Sequence, residues 1–315
     1  MAEFIQCFRT AFSDIEKRVT DIQKTENSYL VERPSDISNE IERYSEYGLN
    51  ALGKTVGFPY EFLRQVNDTN PSLAQTVISD RVNNYFANGG SSFFAREFLG
   101  KISGCVSNRY AYFDDHQVIE IIGKSPLANL EYSHAMVTPE RLHLRAIDAD
   151  APFKIEGDDS PLYFCYFIDN SMVGIASFKV QLGIYRKVCT NGMIMPIKEF
   201  VVCKQVHRGS RDISAEFNET VAFLDEKRND IKGILTDLST AEAKILTMNE
   251  EYRISYLARA LTMSKKEATR VVELFTKTYG GKTKWDMVNA ISEFARDTNN
   301  IDRREHLEKL ALKVA

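Results

Sequence analysis

The chain has 315 residues, 43% hydrophobic, 27% charged and 11% aromatic, with a formal net charge of −4. That length suits about two domains on a prior of roughly 150 residues each and can bury a sizeable core. The composition excludes a disordered chain, a collagen and a coiled-coil rod, and the acidic balance excludes a globally cationic binder while leaving room for a local basic patch.

In chain order, residues 3–24 predict an amphipathic helix, because Phe4, Phe8, Phe12, Ile15 and Val19 recur at helical spacing. This charged start is not a signal peptide, and no run of about 18 apolar residues follows, so no membrane partner and a cytoplasmic location (a bacterial host cell) are expected. Residues 26–40 are polar and read as a loop. Residues 41–66 carry a helical pattern broken between Gly53 and Pro59, and residues 72–88 predict another helix, capped by Ser72 and stopped at Gly89-Gly90.

The pattern changes at residue 91. SSFFAREF and KISGCVS read as strands joined at Leu99-Gly100, and a helix follows with Asp114 or Asp115 as its N-cap. Strands are predicted over 128–137 and 141–147, an acidic loop over 148–161, then two or three strands ending near Cys189 and a turn at 191–196. From about residue 212 the pattern is helical, with Ser264 and Glu267 forming a capping box and Gly280-Gly281 a stop. The expected architecture is α+β: a central, mainly antiparallel sheet flanked by helices, in three segments (a helical 1–90, a strand-rich 91–211, a helical 212–315).

Motifs for catalysis and metals are weak. Gly48 to Thr55 fits GxxxxGK[ST] letter for letter, but the residues before it are charged and helical rather than a buried strand, and Pro59 follows too soon. The five cysteines (Cys7, Cys105, Cys165, Cys189, Cys203) are far apart, which suggests reduced thiols rather than a disulfide framework. His134 and His143 can approach across adjacent strands, but a zinc site needs three or four ligands. Asp148, Asp150 and Asp169 with Lys179 could converge as a nuclease site, though no spacing compels it. No cofactor, metal or catalytic residue is implied.

One charge feature stands out. From Ser171 to Arg211 lie seven basic residues (Lys179, Arg186, Lys187, Lys198, Lys204, Arg208, Arg211) against the single acid Glu199, a local balance of +6. On one strand face they would form a stripe able to neutralise phosphates, with nearby tyrosines to stack bases; the alternative is an ordinary solvated strand face.

Three blocks carry a resemblance. They are SSFFAREFLGKISGCVSNRYAYFDDHQVIEII, YFIDNSMVGIASFKVQLGIYRKVCTNGMI (through Asn170-Ser171, Gly174, Arg186 and Cys189-Thr190-Asn191-Gly192), and the tail WDMVNAISEFARD with RREHLEKLA. Together, from about residue 42 onward, they resemble the phage/plasmid-like family called domain of unknown function 932. Asn108 stands where that family usually has aspartate, and Met172 where it often has glutamate. The resemblance implies a mobile-element role. The order of elements is also similar to that of phage single-strand-annealing recombinases, which bind strands in a basic groove without catalysis and form rings. On that analogy Arg96, Lys101, Arg109, Lys179, Arg186 and Lys187 would contact phosphates of single-stranded DNA, Tyr112 or Tyr185 would stack bases, and the protein would be a homo-oligomer. The second expectation is a protein-interaction module that binds a host or phage protein, with the stripe paired internally with the acids of 148–159.

Overall fold

The computed structural model describes residues 10–155, 158–186, 193–205 and 224–298, with isolated positions within 215–221 and 303–311. The fold is α+β with two antiparallel sheets, one of three strands and one of six, where the sequence suggested a single central sheet. The chain divides into two compact units built from interleaved stretches: residues 1–144, 168–179 and 204–215 form the first, and 145–167, 180–203 and 216–315 the second.

The first unit opens with α1 (Phe12–Gln23), whose Ile15, Val19 and Ile22 are buried at helical spacing. The expected loop then contains a strand, β1 (Asn27–Val31), which pairs antiparallel with β2 (Phe93–Phe98). Between them lie α2 (Glu46–Val56), α3 (Tyr60–Thr69) and α4 (Pro71–Ala87). The break between α2 and α3 falls where glycine and proline predict it: Gly57 adopts φ 86° and Pro59 caps α3. The cap of α4 is Asn70, with Pro71 in the first turn, rather than Ser72.

Strand β2 turns at Leu99-Gly100, both at positive φ (51° and 74°), into β3 (Lys101–Ser107). This is the backbone geometry of a two-residue hairpin. Helix α2 lies on β3 so closely that a Cβ at Gly48 would stand 1.8 Å from the Ile102 carbonyl oxygen. The GxxxxGK[ST] string is therefore a helix-packing surface: Gly48, Leu49, Leu52 and Gly53 are buried in α2. Leu52, Leu63, Ala74, Ile78, Ala95 and Ile102 form the core between the helices and the sheet. After β3, Asp114 caps α5 (Asp115–Gly123) with Gln117 completing a capping box.

The larger sheet comprises β4 (Glu131–Val137), β5 (Leu142–Ile147), β6 (Phe153–Ile155), β7 (Asp158–Asn170), β8 (Phe178–Arg186) and β9 (Met193–Gln205). Its order is β4-β5-β7-β8-β9, with β6 paired to β7. In the second unit follow α6 (Leu224–Thr240), α7 (Glu250–Ala260), α8 (Lys265–Glu273), a π turn at Leu274–Thr278 and α9 (Lys284–Arg296). The Ser264–Glu267 capping box forms as the sequence indicates, and Trp285 and Asn289, one turn apart on α9, are both buried. No helix among the described residues is long and apolar enough to cross a membrane.

Candidate nucleic-acid interface

The basic residues singled out in the sequence have different fates. Arg96 is wholly buried at 0% exposure. Its guanidinium donates to Asp114 at 2.7 and 3.0 Å, to the Met172 carbonyl at 2.7 Å, and to Glu26. Burial alone would lower its pKa, but Asp114 and Glu26 more than offset that and raise it. Arg96 is thus an internal hub tying β2 to α1–β1, to the α5 cap and to the stretch after β7; it does not contact phosphate.

Lys179 is likewise committed. Asp169 is 5% exposed and accepts from three basic side chains of its own unit: Arg141 at 3.2 Å, His143 at 2.7 Å and Lys179 at 3.0 Å. Burial would raise the Asp169 carboxyl, but His143 and Lys179 override it and hold it well below the usual carboxylate range. With its oxygens taken up in this way, Asp169 is a poor metal ligand. The expected proximity of His134 and His143 is present, their ring centroids 5.6 Å apart. In the second unit Asp148 meets Arg228 at 2.5 Å, and Arg228 also reaches the Tyr166 hydroxyl at 2.6 Å. Among the described residues, no group of three or more His, Cys, Asp or Glu could hold a metal ion.

Arg186 is 8% exposed and donates to the Ser160 hydroxyl at 3.2 Å, so it too faces inward. Tyr185 is half-buried against Tyr163, ring centroids 5.9 Å apart. Lys187 and the Cys189 to Gly192 string lie outside the described residues. The stripe drawn from the sequence is therefore not an outward row of cations at Lys179 and Arg186.

Three of the expected contacts remain outward. Lys101 is exposed at the hairpin turn. Tyr112 is 42% exposed. Its ring packs against the Arg96 guanidinium, 4.7 Å from the centroid, and edge-on to Phe94 and Tyr110. Arg109 is exposed, and no ion pair involving it occurs among the described residues. It follows β3 in a turn closed by Tyr110 N–H to the Ser107 carbonyl at 2.9 Å. Tyr112 lies three positions after Arg109, a span of at most about 11 Å. Lys101 stands at the other end of β3, about 20 Å along the strand from Ser107.

Arg109 opens onto a cavity of about 670 Å³. Hydroxyls of Thr55, Ser92 and Ser107, the Asn108 amide and the Tyr85 ring also line it, and among the described residues no carboxylate does. Tyr85 is fixed from two sides: its hydroxyl donates to the Ser91 carbonyl at 2.7 Å, and Gly90 sits so close that a Cβ there would be 2.4 Å from the ring. Thr55 comes from the end of α2, and its hydroxyl donates to the Ala51 carbonyl at 2.9 Å. The cavity thus draws on α2, α4 and the two outer ends of the β2–β3 hairpin.

Behind Arg109, the SNRY and NSMVG strings meet. The Tyr110 hydroxyl donates to the Ser171 carbonyl at 2.9 Å, and Gly104 admits Val173, where a Cβ would be 2.5 Å away. The Asn170 amide donates to Asp115 at 2.8 Å and to the Phe113 carbonyl at 3.0 Å. Asp115 is 1% exposed and its second oxygen has no partner. Burial pushes its carboxyl up to about 7; Asp114 adds to the rise, while Asn170 and Arg96 oppose it. Sequence reading marked Asp115 only as a cap and Asn170 only as part of a string; neither their pairing nor the role of Glu26 carries a local signal.

Fold and site together define an α+β protein whose surface offers an acid-free, arginine-bearing cavity beside an exposed tyrosine. Residues 103–312 match the family model described as Domain of unknown function (DUF932), and the chain belongs to that family. No curated protein and no solved structure matches it.

Proposed function

We propose that the protein binds single-stranded nucleic acid, without catalysis, along the surface from Tyr112 to Arg109, with Lys101 as an outlying contact. The observation that carries this reading is Arg109: exposed, without an ion pair among the described residues, and facing a cavity whose lining holds no carboxylate. A guanidinium in that setting keeps its full donor set for a phosphate, and an exposed ring a few residues away can take a base on its face. The resemblance to phage and plasmid genes would put such binding in recombination or annealing, with single-stranded DNA as partner and the protein as an oligomer.

The test is fluorescence anisotropy of labelled single strands at low and at high salt. Binding whose log affinity falls by roughly 0.7 per neutralised phosphate per decade of salt is the expected result. Binding absent even at low salt would overturn the reading.

One observation favours the second reading, a protein-interaction module. Lys179 and Arg186, central to the sequence stripe, have internal partners, though these are Asp169 and the Ser160 hydroxyl rather than the acids of 148–159 that the reading named. It gains if strands fail to bind and a folded partner protein does.

A further inference from the structure

We propose that the Arg109 cavity is a seat for one nucleotide phosphomonoester, either a free nucleoside monophosphate or the phosphorylated end of a strand; this rests on the nucleic-acid reading for the strand end only. The cavity volume of about 670 Å³ lies within the roughly 300–1,000 Å³ of small-molecule sites. Its chemistry is one-sided. Arg109 supplies a fork of N–H donors, the Asn108 amide and the hydroxyls of Ser92 and Ser107 add neutral donors, and no acid repels an anion.

A phosphomonoester presents three terminal oxygens and nearly two charges near neutral pH, whereas an internal diester presents two oxygens and one charge. An open cleft with clustered donors suits the former better than a track of spaced cations would. The Tyr85 ring gives the ligand its second half. Held by Ser91 and backed by Gly90, it is a rigid aromatic wall for a base. The glycine is needed there, since any side chain would collide with the ring. Thr55, from α2, also lines the cavity, but its hydroxyl proton is donated to the Ala51 carbonyl, so the string that imitates a phosphate loop supplies a wall rather than an anion donor.

The experiment is titration calorimetry of the full chain with a nucleoside monophosphate, with the parent nucleoside and with inorganic phosphate, beside anisotropy with strands that carry either a 5′-phosphate or a 5′-hydroxyl. The expected result is that the monophosphate binds, that the nucleoside and inorganic phosphate each bind far more weakly, and that Arg109→Gln lowers monophosphate affinity about tenfold or more. Arg109 is exposed, so this variant should fold; Lys124→Gln, an exposed lysine just past α5 and outside the cavity lining, should leave monophosphate affinity unchanged.

Preference for 5′-phosphorylated strands, with competition by the monophosphate, identifies the strand end as the source. Monophosphate binding with indifference to the strand's end identifies the free nucleotide. Monophosphate binding with no strand binding supports the seat and sinks the strand reading. Salt-dependent strand binding that ignores monophosphate, 5′-phosphate and Arg109→Gln overturns the seat and leaves the strand reading standing. Equal affinity for inorganic phosphate overturns the assignment to a nucleotide.

Discussion

Arg96 and Arg109 come from one stretch of sequence and have opposite surroundings. The first is closed in by two carboxylates and a carbonyl, with a ring over its face; the second meets hydroxyls and an amide and stays open to solvent. The difference lies in what covers the hairpin. One face of β2 lies against the core of α2 to α4 through Phe93 and Ala95, while the stretch after β7 reaches Arg96 from the other side through Met172. Arg109 sits past the end of β3, beyond that cover. The same residue type therefore serves cohesion in one place and is free for recognition in the other, and burial decides which.

The largest effect that would break this contrast is expected at the hub. Arg96→Met strands the buried Asp114 carboxylate and should cost about 3–5 kcal/mol. Urea unfolding measures it, and a loss under about 1 kcal/mol would mean the network is not closed.

The next test uses pH. Asp115 has a folded value of about 7 against an ordinary 3.8. The folded state therefore holds the proton more tightly than the unfolded one. The corresponding stability is fully present below pH about 4 and is lost as pH rises to about 7, at up to about 1.4 kcal/mol per pH unit. Unfolding midpoints of the wild type should fall relative to Asp115→Asn across that window; parallel curves would refute a protonated Asp115.

Gly48→Ala should cost roughly 1–3 kcal/mol, because α2 must move off the Ile102 carbonyl. Denaturant midpoints read this, and a neutral result would mean that α2 is not locked on β3. At the other pole, Arg109→Gln should leave stability within about 0.5 kcal/mol of wild type while removing ligand affinity. A large loss of stability would erase the distinction between the two arginines. The smallest effect belongs to Lys101→Gln, which should reduce the salt slope of strand binding by about 0.7; an unchanged slope removes Lys101 from the interface.

Local signals were readable wherever the physics is local. Asp114 caps α5, Ser264 pairs with Glu267, Leu99-Gly100 turns, and Gly57 to Pro59 separates two helices. What could not be read depends on distant chain. Strand β1 lies in a polar stretch, is only partly buried, and exists because β2, more than sixty positions later, pairs with it. Arg96 was assigned to phosphate by analogy alone, but both faces of β2 are covered and its register shifts between Arg96 and Glu97. Of the candidate site, Arg109 and Tyr112 were legible as an arginine and an aromatic beside a strand end. Thr55 and Tyr85 were not, since they arrive from helices far away in sequence. The inward turn of Lys179 followed from Asp169, and no spacing rule joins those two with His143 and Arg141.

The β2–β3 hairpin also bears on how a piece of this protein can be made. The family match begins at Ser103, inside β3, so β2, β1 and helix α2 all precede it. A fragment cut at that boundary would lose the strand that pairs with β3 from Phe93 to Phe98, and with it Arg96. It would carry a bare strand edge, with Val106 uncovered, of the kind that recruits other chains into aggregates. Soluble pieces should therefore start upstream of Asn27, and a precipitating 103–312 fragment would reflect a missing strand rather than an unstable family fold.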